Sequence, residues 1–450
     1  MRHRPNPLIA VGAAALALAV TPAPTHASSS QQTIFEAPRE ILGADDALRQ
    51  QTLDEIKAFG VTRMRVLVIW SSVVRSPNAR SKPGNLKETD PNSAGYDFAK
   101  YDAIFQEAAD RGIDVIPTLT GGAPRWATGK RRGHVYKPDR NHFERFVEAV
   151  GKRYGGRVGT WTVWNEPNQP QFLLPQFVHG KPYSPKLYRA LYQAALQALG
   201  ATNNGGDRVL AGETSPRGNA HIVAPVTFAR VFFQGRRLDV DGWAHHPYTT
   251  KAGPFFKPPN KHDVTIGVLG RLTRALDRYS HHRHLKVYLT EFGIQSKPDP
   301  NYGVSEARQA EYRAISEKIA YDNPRVAAIS QYLMRDDLAR SGSDKYGGFE
   351  SGLRYANGKK KKAYEAFRLP VVADHATKRT TRLWGRVRPA TGATTVTVEY
   401  RDHGAWKGLA NLATNGRGVW TKRTAYRKGR TYRVRWQTFT GPATHTYKAP

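Results

Sequence analysis

The chain has 450 residues, a formal net charge of +32 and no cysteine. That length exceeds one ordinary domain of roughly 100–200 residues and can bury a sizeable core. The lack of cysteine excludes disulfides, thiolate metal sites and cysteine nucleophiles, while the basic balance implies attraction to polyanions without indicating a reaction.

In chain order, the first expected element is a leader. Arg2, His3 and Arg4 precede an apolar run over 8–20, and Thr25-His26-Ala27 puts a small residue before Ser28. This is the layout of a secretory signal peptide over 1–27, and the run is too short for an ordinary bilayer span. The expectation is a secreted protein, extracellular or cell-wall associated, with no membrane span after cleavage. Strands are then expected at 33–42, 61–70, 113–120, 158–164, 208–213, 240–246, 286–290 and 326–333. Helices are expected between and after them, at 45–59, 98–111, 142–154, 185–199, 225–233, 265–279, 305–321 and 360–367. The helices rest on apolar residues near helical spacing, such as Leu48, Leu53, Ile56 and Phe59; the strands rest on Val, Ile and aromatic runs. Strands alternating with helices at this spacing imply parallel pairing, and eight such pairs suit a closed (β/α)8 barrel over 28–370. No Gly-x-Gly-x-x-Gly follows an early strand, which argues against nucleotide binding.

Past Leu369-Pro370 the pattern changes. Residues 371–450 carry 16 Lys/Arg against 3 Asp/Glu, with strand-like runs at 381–387, 394–400, 419–424 and 431–439. Short strands separated by Gly and Asn turns predict a small β-sandwich. Trp384, Trp406, Trp420 and Trp436 either fill its core or stack on sugar rings. The run from Lys359 to Lys362 reads as a solvated face.

Active groups in such a barrel sit at the C-terminal ends of strands. Glu166, Glu213 and Glu291 end the fourth, fifth and seventh strands, and Asp336 and Asp337 follow the eighth. Two carboxyl groups are what glycosidic hydrolysis needs: one protonated to help the leaving oxygen depart, one ionised to attack the anomeric carbon or activate water.

Trp164-Asn165-Glu166-Pro167 and, three strand–helix units later, Thr290-Glu291-Phe292-Gly293 together resemble clan A of the glycoside hydrolases, cellulase-like family 5 or family 39-like. The resemblance covers roughly 33–370. It implies a retaining O-glycosyl hydrolase with Glu166 as acid/base and Glu291 as nucleophile. It implies that Arg65, in Gly60-Val61-Thr62-Arg63-Met64-Arg65-Val66, contacts the nucleophile, although Arg63 shares its strand parity and the choice between them stays open. It also implies roles for His246, for Tyr248 as a hydrogen-bond donor to Glu291, and for Asn165 on the sugar 2-hydroxyl. Trp70 and Trp126, near strand ends, either stack on the sugar or pack their loops. The end of strand eight departs from the clan pattern, since no Trp stands there. No metal or organic cofactor is needed. The expected partners are a polysaccharide or oligosaccharide substrate and, through the basic tail, an anionic cell-wall polymer. No dedicated nucleic-acid motif is present, and a monomer is expected. A noncatalytic carbohydrate- or wall-binding protein and a transglycosylase are the alternatives. The sugar, its linkage and endo or exo action are not legible.

Overall fold

A computed structural model describes residues 31–281, 283–389 and 392–448. The leader expected over 1–27 lies outside the described residues. Eight strands form the barrel: β1 (Gln32–Glu36), β2 (Arg63–Ile69), β3 (Asp114–Thr120), β4 (Thr160–Val163), β5 (Arg208–Thr214), β6 (Gly242–His245), β7 (Val287–Leu289) and β8 (Val326–Tyr332). They close in the order β1-β8-β7-β6-β5-β4-β3-β2, every pair parallel. The crossovers are α1 (Asp46–Ala58), α2 (Ala99–Ala109), α3 (Arg140–Tyr154), α4 (Ser184–Ala201), α5 (Pro225–Phe232), α6 (Leu269–Tyr279) and α7 (Glu306–Asp322), and α8 (Lys362–Arg368) follows β8. Side-chain caps start three of them: Asp45 accepts from Leu48 N, Asp139 from Asn141 N and His142 N, and Ser305 from Arg308 N. Each cap satisfies amides that have no helical partner.

The register of the barrel places the site. Ile34, Ile116, Leu210, Ala244, Tyr288 and Ala328, one from each of six strands, form a separate buried cluster that plugs the interior. Strand side chains alternate faces, so residues two further along point the same way, one layer higher. That next layer holds Glu36, Thr118, His246 and Thr290, and the inward face of β2 contributes Arg65. An apolar plug is thus roofed by polar groups at the C-terminal ends of the strands.

Two boundaries differ from expectation. β1 stops at Glu36, because Pro38 opens a short helix, Pro38–Ile41, where strand was expected. In the lysine run, Lys361 is not solvated: its ammonium is buried and bonded to Asp336 at 2.6 Å and Ser296 Oγ at 2.9 Å.

The C-terminal part has more strands than expected: β9 (Val371–Thr377), β10 (Thr380–Arg386), β11 (Thr395–Asp402), β12 (Ala405–Ala413), β13 (Val419–Ala425), β14 (Thr431–Trp436), β15 (Phe439–Thr440) and β16 (Thr444–Tyr447). They run β12-β11-β14-β16-β9-β10-β13, with β15 on β14, as one nearly closed sheet around its own core. β16 joins the two halves, pairing parallel with β9 and antiparallel with β14. Trp384, Trp420 and Trp436 are buried, whereas Trp406 is half-buried under the Arg433 guanidinium.

This sheet docks on α7. Ala314 and Ile315 pack with Val372, Trp384 and Val419. Beside them Glu317 is enclosed by Arg313 at 3.2 Å, Arg386 at 3.4 Å and Arg388, and Arg388 also reaches Thr33 Oγ1 at 3.0 Å. Burial pulls the Glu317 carboxyl upward, but the three guanidinium groups outweigh it and hold it at about 2. Among the described residues no helix is long and apolar enough to cross a membrane.

Candidate active site

The chain bends sharply where the site residues leave their strands. After β4, Trp164 and Glu166 take left-handed backbone angles, with φ of 62° and 38°. Trp164 is buried against Gly121, where a Cβ would stand 2.5 Å from the indole, so glycine is required there. Trp164 N donates to Leu119 O at 2.8 Å and Asn165 N to Thr120 Oγ1 at 3.0 Å. These bonds fix the turn that brings Asn165 and Glu166 to the mouth of the barrel.

Arg65, rather than Arg63, occupies the centre. Its Nη1 donates to Glu36 Oε2 at 2.7 Å and Glu291 Oε2 at 3.1 Å, its Nη2 to Asn165 Oδ1 at 2.7 Å, and its Nε to Thr118 Oγ1 at 2.9 Å. Nη2 also pairs with Glu213 Oε2 at 3.0 Å. Arg63 instead reaches Asp114 at 3.8 Å at the other end of the strand. Tyr248 OH donates to Glu291 Oε1 at 2.8 Å, so both oxygens of Glu291 are held. His246 bridges Glu166 Oε1 at 2.9 Å through Nδ1 and Glu213 Oε2 at 2.6 Å through Nε2.

Above these groups opens a cleft of about 740 Å³, lined by Glu36, Asn165, Glu166, Tyr248, Glu291 and Tyr332 among others. The loop after β4 contributes Gln169, Gln171 and Phe172; the long loop after β2 contributes none of the lining residues. An oxygen of Glu166 and one of Glu291 lie within 4.8 Å of each other.

Burial raises the Glu166 carboxyl, with Glu291 adding to the effect and His246 and Arg65 opposing it. Burial also pushes Glu36 up to about 8, since Arg65, its nearest cation, is shared with Glu213 and Glu291. At Glu213 burial pulls upward as well, but Arg65 and His246 win and bring it down to about 2. Burial disfavours a charged His246, yet Glu291, Glu166 and Glu213 hold it protonated up to about 10. At neutral pH a protonated Glu36 therefore sits beside the Arg65 and His246 cations and the Glu213 anion. Glu166, His246 and Glu291 also offer three close ligand atoms. The 2.9 Å contact between His246 Nδ1 and Glu166 Oε1 is a hydrogen bond that a metal between the two would have to displace.

The structure brings Glu166, Glu291, Arg65, Asn165, His246 and Tyr248 into one constellation. Trp70 and Trp126 do not join it. Trp70 is 1% exposed, stacks on Phe146 and meets Trp126 edge-on, and both indoles belong to the core between the barrel and its helices. An aromatic cluster in the cleft is instead formed by Tyr248, Tyr332 and Phe349, whose ring centroids lie 5.2–6.2 Å apart. Tyr332 ends β8, where the sequence lacks the clan's Trp. Glu36 and the part played by Glu213 escaped sequence reasoning. Ending β1 at Pro38 would have put Glu36 at a strand end.

No family model matches the chain. It is 30% identical over 144 residues to a 6-phospho-beta-glucosidase of Dickeya chrysanthemi, which is 32% of this chain and 28% of that protein. It is 29% identical over 143 residues to a 6-phospho-beta-glucosidase of Clostridium longisporum, 30% of this chain and again 28% of the relative. The chain thus spans little more than a quarter of the length of these curated relatives. Among solved structures, it superposes on a GH5_18 protein of Streptomyces cattleya in complex with GlcNAc with a TM-score of 0.54 and 17% identity, covering 76% of this chain and 79% of that one. Its structural neighbours are clan A glycoside hydrolases, and the likeness identifies the fold as the closed parallel eight-stranded barrel that they share.

Proposed function

We propose that the protein is a retaining O-glycosyl hydrolase of β-linked glycosides that works by double displacement. One observation carries the reading: oxygens of Glu166 and Glu291 lie within 4.8 Å. A pair roughly 5–5.5 Å apart attacks directly and retains configuration, whereas inversion needs ~6.5–9.5 Å to admit water between the groups. In the first step Glu291 attacks the anomeric carbon while Glu166 gives its proton to the departing oxygen. In the second, Glu166 takes a proton from water, which attacks the glycosyl-enzyme and restores Glu291. Arg65 and Tyr248 hold both Glu291 oxygens, which limits rotation of the carboxylate and aims it.

A neutral sugar fits this cleft better than a phosphorylated one. Glu36, Glu166, Asp263 and Glu291 line it, and Arg217 is its single cationic side chain among the described lining residues. A phosphate would need more positive partners than that. Export through residues 1–27, attachment of the basic C-terminal sheet to an anionic wall polymer, and action as a monomer complete the proposal. N-terminal sequencing of the exported protein should read from Ser28.

The test is azide rescue on an activated aryl β-glycoside. Glu291→Ala and Glu166→Ala should each lose hydrolysis and regain turnover with azide, giving glycosyl azides of opposite anomeric configuration. Full activity in both variants would end the assignment. A panel of plain and acidic polysaccharides then identifies the natural sugar.

A further inference from the structure

Glu213 stands behind the site rather than in it. It is fully buried and does not line the cleft, so it touches no substrate. The chain distorts to put it there. β5 slips register against β6 between Ala211 and Thr214, and Gly212 and Glu213 take φ of 108° and 49°. A Cβ at Gly212 would lie 2.5 Å from Ala244 O, so only glycine permits the slip. A bulge next to a site re-aims a side chain that strand parity would send outward. Counted from inward-facing Leu210, Glu213 has outward parity; the bulge turns it in. Its Oε2 then accepts from three donors: His246 Nε2 at 2.6 Å, Thr290 Oγ1 at 2.9 Å and Arg65 Nη2 at 3.0 Å.

His246 is the group this arrangement serves. Its ring is fully buried, and a buried cation needs a lasting counter-charge. The groups facing it are Glu36 from β1, Arg65 from β2, Glu166 after β4, Glu213 from β5 and Glu291 after β7, with Tyr248 beside them. Its neighbour His245 turns away, to Thr214 Oγ1 and Val264 O. Of the four carboxyls, Glu36 is held protonated at neutral pH. In the proposed reaction Glu166 gives and regains a proton, and Glu291 becomes an ester. Glu213 alone keeps its charge through every step.

We infer that Glu213 is a positioning residue that holds His246 as an imidazolium with Nδ1–H directed at Glu166, and so sets the pH range over which Glu166 can deliver its proton. The inference rests on Glu166 being the acid, but its first half, a cationic His246, does not. Replacing Glu213 by glutamine keeps the shape and removes the counter-charge. His246 then holds its proton less tightly, although Glu291 still faces it at 3.6 Å, and Glu166 loses part of the positive charge 2.9 Å away that eases its ionisation. Such a neighbour lowers a carboxyl by about one to three units, so the alkaline limb of kcat/KM should move up by as much as that.

Two measurements on the full chain decide this. In 15N-histidine NMR, with His246 assigned by the signal missing in His246→Gln, the parent should have both ring nitrogens protonated at pH 7, and Glu213→Gln should lose the second ring proton at a lower pH than the parent. In pH profiles on an aryl glycoside, Glu213→Gln and His246→Gln should shift the alkaline limb alike, and the double variant should add no further shift. A neutral His246 in the parent overturns the inference, and that spectrum serves even if Glu213→Gln does not fold. A Glu213→Gln profile lowered in height with unmoved limbs also overturns it, leaving Glu213 a purely structural group. An inactive parent with a cationic His246 would refute the proposed function while upholding the imidazolium.

Discussion

Glu36→Gln should stabilise this protein, and increasingly so as pH rises. Glu36 is 2% exposed, with Oε2 2.7 Å from Arg65 Nη1. Its carboxyl is raised from 4.5 to about 8, first by burial and further by Glu291, against the pull of Arg65. A raised carboxyl binds more protons folded than unfolded, so the stability it confers is full below 4.5 and is lost as pH climbs towards about 8. At pH 7 the unfolded chain has released that proton and folding must take it back. The gap of about 2.5 units at roughly 1.4 kcal/mol each comes to about 3 kcal/mol. Glutamine is permanently neutral, has the same shape and still offers Arg65 a carbonyl oxygen. Thermal unfolding of parent and variant should therefore give a small difference at pH 4 that grows in favour of the variant to about 3 kcal/mol at pH 7. A variant less stable by the same amount at both pH values, or one whose disadvantage grows with pH, would mean that Glu36 is ionised in the folded state. The protonated Glu36 drawn for the site would then be wrong.

Other substitutions probe separate links. Tyr248→Phe removes the 2.8 Å bond to Glu291; a hydrogen bond to a charged group is worth about 1.5–3 kcal/mol, so kcat/KM should fall roughly 10- to 100-fold with the melting temperature unchanged. Trp70→Ala should cost about 3–5 kcal/mol of stability as a core cavity while leaving KM alone, whereas a sugar platform would do the reverse. Glu317→Ala strips the shared anion from Arg313, Arg386 and Arg388. Leaving buried charge uncompensated costs about 3–5 kcal/mol, to be seen in calorimetry and in faster proteolysis between barrel and sheet. Deleting 371–450 bares Ala314 and Ile315 on α7, so the remaining barrel should bind a hydrophobic dye and precipitate. A clean, monomeric barrel would refute the docking described above.

The sequence by itself determined the alternation of strands and helices, and with it the barrel. Parallel strands covered on both sides are apolar over most of their length, as in Val66–Ile69, and their crossovers must be amphipathic, so both leave local patterns. It also determined that Glu166 and Glu291 end strands, because a motif following a strand fixes its own place on the rim. What it could not determine was convergence. Arg65 draws together Glu36, Asn165, Glu213 and Glu291 from four other places in the chain, and no local pattern encodes which carboxylates share one guanidinium. Trp70 shows the same limit from the other side: its place near a strand end suggested the cleft, but α3 supplies Phe143 and Phe146 to enclose it. Lys361 reads as surface in a row of lysines until Asp336 arrives from another loop to neutralise it. The slip in β5 that turns Glu213 inward depends on how closely Gly212 approaches β6, a distance that exists only once the barrel has closed. Backbone periodicity is local and therefore legible; the partners of a buried charge, which decide its protonation and its role, are set by tertiary packing alone.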